Sequence, residues 1–555
     1  MRHAIGSLLS VDVGSRTIMT ESIDDVLERY IGGRGVGTRL AHDRLPFETP
    51  PLSPDNALFF TTGPMQVSNM SFTGRMNCTG ISPLTDGLLS SNAGGFLSRN
   101  FAATGYSAVE ITDRSEELVI VHVTDEGVDF EEVSQLEGAT IPETDEYLKE
   151  THGLDSDHVA AIGPAGENEV RYAAIMTSES RAFGRGGLGA VLGSKNVKAI
   201  TFDGDSPPEI PIDEEAQQTV HRQAATSDHV MKRQGTTSVT ELANEINGMP
   251  TRYYSEQSFE DISLVSGDRV EEKKYKKGTC SACAFACKLP TRDEEREVET
   301  EGPEFETLYA FGPNSGVNDI VDIMQSNELC DRFGLDTISC GNSIAAYLAA
   351  NDEFGNANLI HELVEKIAHR DGIGDTLAEG IGRFHDVIGV ENWTVKNMEF
   401  AGHEGRTLNG TGLAYATANR GADHMYGSFY ELEYPLVDAD EAVDNVGLDG
   451  KPERLIEKEN FNGVLDSAIL CKFSRNSDTK SLLGTLLDAE AEELLDVGER
   501  IVTLERHFNS KRGFDRSDDT LPYDLSGFEA ALDEYYDRRG WNDDGTVPDV
   551  KVPSH

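Results

Sequence analysis

GDSPPEIPIDEEAQQ, residues 204–218, separates two kinds of sequence. Upstream, apolar and β-branched runs recur at 57–62, 108–112, 118–123, 159–162 and 197–202. Gly, Asn, Ser and Pro separate them, which is the punctuation of short strands. Downstream, from about Asp213, apolar residues return at helical spacing. Ile320, Ile323, Met324 and Phe333 share one face, as do residues in 359–368. Pro207, Pro208 and Pro211 prevent a continuous element between the two regimes and mark a domain boundary. A weaker boundary falls near 401–409. The expected class is α+β, with a β-rich N-terminal domain over 1–206 followed by two mainly α-helical domains over 207–402 and 403–555.

The 555 residues are 38% hydrophobic, enough for a real core and, at roughly 150 residues each, for three or four units. Acidic residues number 98 against 48 basic ones, giving a formal net charge of −50. Such a surface repels nucleic-acid phosphates and anionic headgroups, so neither nucleic acid nor membrane is expected as a partner. The longest apolar stretches, such as 344–350, fall far short of the roughly 18 residues of a membrane span. The opening run MRHAIGSLLSVDVG is too weakly apolar for a signal peptide, and Asp12 breaks it. The expected location is the cytoplasm. The acids are dispersed, not gathered in a tail, which fits a halophilic surface kept hydrated in concentrated salt. Urea unfolding should therefore be easier in low salt than in molar salt; equal midpoints would contradict this reading.

Seven cysteines are present, an odd number in a large chain, so a disulfide framework is not expected. Three lie in GTCSACAFACKLP with C-x2-C-x3-C spacing: Cys280, Cys283 and Cys287. Thiolates this close can converge on one metal centre, and iron–sulfur clusters take four such ligands. Zinc also uses C-x2-C, but no second C-x2-C or histidine pair follows nearby. Cys78, Cys330, Cys340 and Cys471 are candidates for a fourth ligand, and spacing does not choose among them. Upstream, Lys273, Lys274, Lys276 and Lys277 form a basic island that could offset cluster charge or dock an acidic partner.

Glycine-rich segments come next. SESRAFGRGGLGAVLGSKNVKAI contains G-x-G-x-x-G at Gly184, Gly186 and Gly189, with Asp203 downstream. A dinucleotide fingerprint would follow its strand immediately and open a longer helix. The broader reading is an anion cradle of glycine amides with Arg181 or Arg185. GGRGVG at 32–37 invites the same reading, and SSNAGG contains Asn92. Finally, DRFGLDTIS (331–339) has a helix-ending glycine at Gly334 and an N-cap at Asp336. DSAILCK (466–472) repeats its layout, with Asp466 first, Leu470 fifth and Cys471 in the place of Asp336. Two such junctions could grip two similar halves of one large anionic ligand.

Taken in order, YIGGRGVGTRL, TTGPMQVSNMSFTGR, SPLTDGLLSSNAGG, IGPAGEN, SRAFGRGGLGAVLGSKN, the cysteine triplet, EGPEFET, DRFGLDT and NRGADH resemble the aldehyde ferredoxin oxidoreductase family, the tungsten-dependent bis-pterin enzymes, along nearly the whole chain. The resemblance implies that the β-rich domain covers a tungstopterin, with molybdenum as the alternative metal. It implies that Cys280, Cys283, Cys287 and Cys471 ligate a [4Fe–4S] cluster. Asp331, Leu335 and Asp336 would hold one pterin, and Asp466, Leu470 and Cys471 the other. Arg75 would stand between cluster and pterin. The carbonyls of Asn92 and Ala182 would hold a Mg2+ bridging the pterin phosphates, beside Arg181, Gly184 and Gly186. Glu306 and His424 would lie near the metal, with Glu304 an adjacent alternative for the glutamate and the histidine supplying the group poised near neutral pH.

Two departures stand out. Ile469 replaces the usual glycine of the second junction, which puts its left-handed turn in question. AGHEGRTLNGTG (401–412) differs from the usual run before NRGADH, though Arg406 still corresponds, so the substrate pocket is open. The implied reaction converts an aldehyde and water to a carboxylic acid and passes two electrons to ferredoxin. A homodimer follows by family analogy. The rivals are a family relative acting on a hydroxy acid or an aryl-CoA, a non-catalytic iron–sulfur or zinc protein, and a nicotinamide-dependent dehydrogenase.

Overall fold

The computed structural model describes residues 6–554. The first five residues of the opening run thus lie outside the described residues. The rest of that run forms the strand Ser7–Asp12, inside a sheet.

Two six-stranded sheets occupy the region before residue 204. The first runs Thr17–Ser22, Ser7–Asp12, Ala108–Thr112, Leu58–Thr61, Met76–Ile81, Leu88–Ala93 in spatial order. Its pairs are antiparallel except Ser7–Asp12 with Ala108–Thr112. The second runs Arg181–Phe183, Ile175–Thr177, Val159–Ala161, Val197–Phe202, Val119–Thr124, Gly127–Glu132. The five apolar runs read from the sequence all fall on strands. Met76–Ile81 and Leu88–Ala93 escape that reading because polar residues break their alternation. These polar side chains are buried and satisfy one another: Thr79 bonds Asn77 at 2.8 Å and meets the Ser90 hydroxyl at 2.6 Å.

Across 204–213 the chain is extended and mostly exposed. The Asp213 carboxylate then accepts from the Ala216 amide at 2.8 Å and starts the helix Glu214–Thr226. From there helices dominate, with two small hairpins, Pro290–Asp293 with Val298–Glu301 and Thr394–Val395 with Met398–Glu399. One apolar cluster runs from Leu9 through Phe202 to Ile344 and Tyr434, so sheets and helices share a core. Among the described residues no helix is long and apolar enough to cross a membrane.

GGRGVG is not an anion cradle. It opens the helix Gly33–Arg44, and the Gly33 amide bonds the Thr62 carbonyl at 2.7 Å. A Cβ at Gly33 would stand 2.3 Å from the Asp466 carbonyl oxygen, so glycine lets this helix meet the second junction backbone to backbone. Arg34 bonds both Glu505 oxygens at 2.8 Å and reaches Asp466 at 3.4 Å.

Candidate active site

The two repeated junctions share one backbone plan. The first joins Ile320–Phe333 to Thr337–Asn351 through Gly334 in the left-handed region, φ 75°. The Asp336 carboxylate caps the second helix, accepting from the Ile338 and Ser339 amides. Leu335 is buried and bridges Ala173 of the β-rich region. Asp331 is part-buried, and desolvation raises its carboxyl well above the usual range although Arg181 opposes this.

The second junction ends Lys451–Ala468 at Ile469, which keeps the left-handed turn at φ 65° despite its branched side chain. The turn is therefore not lost. The reason lies above it: the Ile469 side chain is fully buried and fills the space over Gly33 and Gly63. Left-handed strain costs about 1–2 kcal/mol, whereas truncating a buried isoleucine costs about 2–5 kcal/mol. Ile469→Gly should therefore destabilise the chain by about 1–3 kcal/mol, read as a lower urea midpoint; a higher midpoint would mean that strain dominates. Asp466 accepts from Asn92 at 3.1 Å and faces Arg34 and Lys472, each at 3.4 Å. Leu470 is buried beside it.

Cys280 and Cys471 lie close enough to Cys283 and Cys287 to raise the thiols of both. Ala282 and Ala286 take positive φ and wrap the loop. The Cys471 amide bonds the Phe72 carbonyl at 2.8 Å, and Arg75 reaches the Cys471 sulfur at 3.5 Å. Burial disfavours thiolate throughout. At Cys280 the cations Arg181, Lys288 and Arg75 outweigh it and lower the thiol, whereas at Cys283 and Cys287 burial wins. A Cβ on Gly94 would lie 3.2 Å from the Cys280 sulfur, and one on Gly95 would meet Arg181, so the SSNAGG turn separates the cysteines from the arginine loop. The remaining thiols lie elsewhere: Cys330 interacts with Cys340, and Cys78 is buried in its strand.

The G-x-G-x-x-G loop is no dinucleotide fingerprint. Its strand Arg181–Phe183 is an edge strand antiparallel to Ile175–Thr177, and the following helix, Leu188–Ser194, has seven residues. The edge strand, which carries Ala182, lies against Leu88–Ala93, which carries Asn92. Arg181 pairs with Glu301 at 3.2 Å. Gly184 approaches Asp336, while Gly186 takes φ 94° and accepts the Ser82 hydroxyl at 2.6 Å. Of the lysine island, Lys273 pairs with Asp293 and Lys274 bonds the Lys232 carbonyl.

EGPEFET sends its three acids to three places. Glu301 takes Arg181. Glu304 bonds Lys288 at 3.0 Å and Thr236 at 2.5 Å, which outweigh burial and hold its carboxyl down to about 2. Glu306, one step inside the helix Phe305–Phe311, accepts the Gly402 amide at 2.7 Å and lies 3.5 Å from His424 Nε2. The choice between the two glutamates is thus made by helix phase, and Glu306 is the partner of His424. Burial pushes Glu306 up to about 7. His424 goes the other way, to about 3, through burial and the nearby Arg185, Arg420 and Lys472. The group poised near neutrality is therefore the glutamate and not the histidine.

NRGADH builds the platform. Asn419 bonds the Val502 carbonyl, Arg420 bonds the Ser90 carbonyl, and Gly421 turns at φ 104°. Asp423 accepts from the Met425 and Tyr426 amides and aims His424 at Glu306. The residue missed in the sequence is His403, in the departing AGHEGRTLNGTG run. Its Nε2 lies 3.3 Å from Glu306, and its ring stacks on Tyr430 at 3.9 Å and on Phe305 at 5.0 Å. Arg406 instead pairs with Glu404 and lies over Trp393.

A cavity of about 1800 Å³ extends between Arg75 and the Glu306–His424 pair. Arg75, Lys288, Glu306, His403, His424 and Lys472 line it, together with Phe461, Phe473 and Arg475. Around it, buried polar atoms have no hydrogen-bond partner: Glu306 Oε1, His424 Nδ1, and the Nε atoms of Arg181, Arg185 and Arg420. Native interiors rarely leave so many buried polar atoms unsatisfied without a ligand to complete them.

Comparison with known proteins agrees with this layout. The family described as "Aldehyde ferredoxin oxidoreductase, N-terminal domain" matches residues 8–204, and "Aldehyde ferredoxin oxidoreductase, domains 2 & 3" matches 212–553. The tungsten-containing aldehyde ferredoxin oxidoreductase of Thermococcus kodakarensis is 33% identical over 99% of this chain and 98% of its own length. A WOR-like subunit of an aliphatic sulfonate oxidoreductase from Pyrococcus furiosus is 27% identical over 90% of this chain and 85% of its own length. The solved active-site complex BamBC of benzoyl-coenzyme A reductase shares the fold, with a TM-score of 0.83 at 22% identity, covering 100% of this chain and 97% of that one. With the two family descriptions matched over residues 8–204 and 212–553 and a relative 33% identical along nearly its whole length, the chain belongs to the aldehyde ferredoxin oxidoreductase family of oxidoreductases.

Proposed function

We propose that the protein oxidises a small aldehyde to the carboxylic acid at a bis-pterin tungsten centre, molybdenum being the alternative, and passes the electrons through a [4Fe–4S] cluster to ferredoxin. The observation that carries this reading is the single cavity linking Arg75, in contact with Cys471, to Glu306 and His424.

The residues present fit these groups. Among the described residues, no three cysteine sulfurs lie within 4.8 Å of one another. A tetrahedral zinc with bonds of about 2.3 Å would draw its sulfurs to about 3.8 Å apart, so the wider set suits a polynuclear cluster. The unpartnered nitrogens of Arg181, Arg185 and Arg420 suit an anionic cofactor with phosphate groups. Asp331, Leu335 and Asp336 would hold one pterin, and Asp466, Leu470 and Cys471 the other. Asn92 and Ala182 would offer carbonyls to a bridging Mg2+, next to Gly184 and Gly186. In this arrangement the β-rich region 1–206 covers the cofactor, and 207–402 and 403–555 contribute one junction each. A cytoplasmic homodimer completes the reading by analogy with the family.

When bound, the tungstopterin would supply the acceptor for the two electrons, and the cluster beside Arg75 would supply a one-electron relay. The protein's own work is proton handling. Aldehyde plus water yields acid, two protons and two electrons. Glu306, titrating near neutrality, can take a proton from the incoming water. His424, neutral at working pH, can donate its Nε2–H to the ionised Glu306, which leaves the unpartnered Nδ1 as an acceptor for a proton of the incoming water. His403 approaches the same Glu306 oxygen as His424. His424→Asn should lower turnover by about 100-fold or more with iron and tungsten contents unchanged; loss of metal would reveal a structural role.

The reading is tested first by elemental analysis of protein purified anaerobically in high salt. About four irons with tungsten or molybdenum, and aldehyde-dependent dye reduction, would support it. Zinc alone would sink it. Metal loading with no response to any aldehyde would move the substrate to another class.

A further inference from the structure

A second cluster of ligating side chains lies on the outer hairpin of the second sheet. His122 sits on Val119–Thr124, Glu131 on Gly127–Glu132, and His152 ends the helix Ile141–His152. His122 Nε2 and His152 Nε2 approach the same carboxylate oxygen, Glu131 Oε2, at 3.1 and 2.9 Å. All three atoms lie within 4.8 Å of one another. The two imidazole rings tilt toward each other with centroids 4.6 Å apart.

We propose that His122, Glu131 and His152 form a binding site for a first-row divalent transition-metal ion of the zinc class. Two imidazoles and one carboxylate are borderline ligands that suit such ions and not magnesium or calcium, which prefer oxygen alone. Tetrahedral ligand atoms about 2.1 Å from an ion stand about 3.4 Å apart, so the two nitrogens, 3.1 and 2.9 Å from the shared oxygen, need spread only a few tenths of an ångström to admit one. The atoms behind the ligands are also fixed. Thr201, opposite His122 in the parallel ladder, meets its Nδ1 at 2.8 Å, so Nε2 is the nitrogen left for the ion. Tyr147 donates to the other Glu131 oxygen at 2.5 Å and holds the carboxylate in place. The ligands are part-exposed, with His152 the most open, so water can complete the coordination shell. The ion would tie the end of the helix to the sheet edge, far in sequence from every residue assigned to the reaction.

The test is zinc binding to the complete, cofactor-loaded protein by equilibrium dialysis. Molar KCl and millimolar Mg2+ would occupy the many surface carboxylates without competing for imidazole. The expected result is one more tightly held zinc per chain in the native protein than in His152→Gln, with Glu131→Gln matching the variant. His152 is at the solvent end of its helix, so its replacement leaves the fold and the aldehyde-dependent dye reduction unchanged. Equal zinc in native protein and both variants would overturn the site. So would zinc lost from the native protein at the same free concentration as from the variants.

Discussion

Glu306→Gln should lower aldehyde turnover by about 100-fold to 10,000-fold and erase the pH dependence of the remaining rate near neutrality. The reaction releases protons, so the receiving group must start ionised. With its carboxyl at about 7, the native rate should rise as pH increases through 7 and level off above it. Glutamine cannot ionise, so its profile should be flat there. The same substitution has an opposite effect on the chain without cofactor. Between about 4.5, the unfolded value, and about 7, the folded chain keeps a proton that the unfolded chain has released. Native stability from this group is therefore highest below that window and falls as pH rises through it. The difference corresponds to about 3 kcal/mol above neutrality. Glu306→Gln should then be more stable than the native chain at pH 8 and nearly equal to it at pH 4.5. An unchanged pH–rate profile, or no stability gain at pH 8, would remove Glu306 from the proton path.

How much of this could be read from the sequence differs by distance along the chain. Local signals were sufficient for the 204–218 switch, because Asp213 caps its own helix three residues on. They were sufficient for Gly334 and Asp336, whose turn and cap are satisfied within a few residues. Local signals failed where partners are remote. Ile469 keeps a turn that its own chemistry disfavours because Gly33 and Gly63, hundreds of residues away, leave room for its side chain. His403 has no local motif; Glu306 and Tyr430 define it. The exchange of roles between His424 and Glu306 comes from burial, helped at His424 by Arg185 and Lys472 on other segments, which no single window of sequence contains. Polar strands such as Met76–Ile81 were invisible for a related reason. Their hydroxyl and amide partners sit on the neighbouring strand.

Cys471→Ala should strip the proposed cluster and with it nearly all electron transfer. The comparison of the two junctions says why the loss should fall on the cluster and not on the fold. Asp336 caps its helix through both carboxylate oxygens. Cys471 occupies the matching place but makes no side-chain cap, so its sulfur is free to meet Arg75 and the three other cysteines. Alanine removes no cap and no buried hydrogen-bond partner except that arginine contact. A cluster with one iron left without thiolate is labile, and the cations Arg75, Arg181 and Lys288 would face a thinned set of negative charges. The expected readout is iron well below four per chain, loss of the reduced-cluster paramagnetic signal, and dye reduction down by about 100-fold or more. Cys78→Ala is the contrasting variant. Its thiol is fully buried in the strand Met76–Ile81, so iron should stay while stability falls by about 1 kcal/mol. Full iron in Cys471→Ala, or iron lost equally from both variants, would show that the fourth ligand lies elsewhere and that the second junction binds cofactor without serving the cluster.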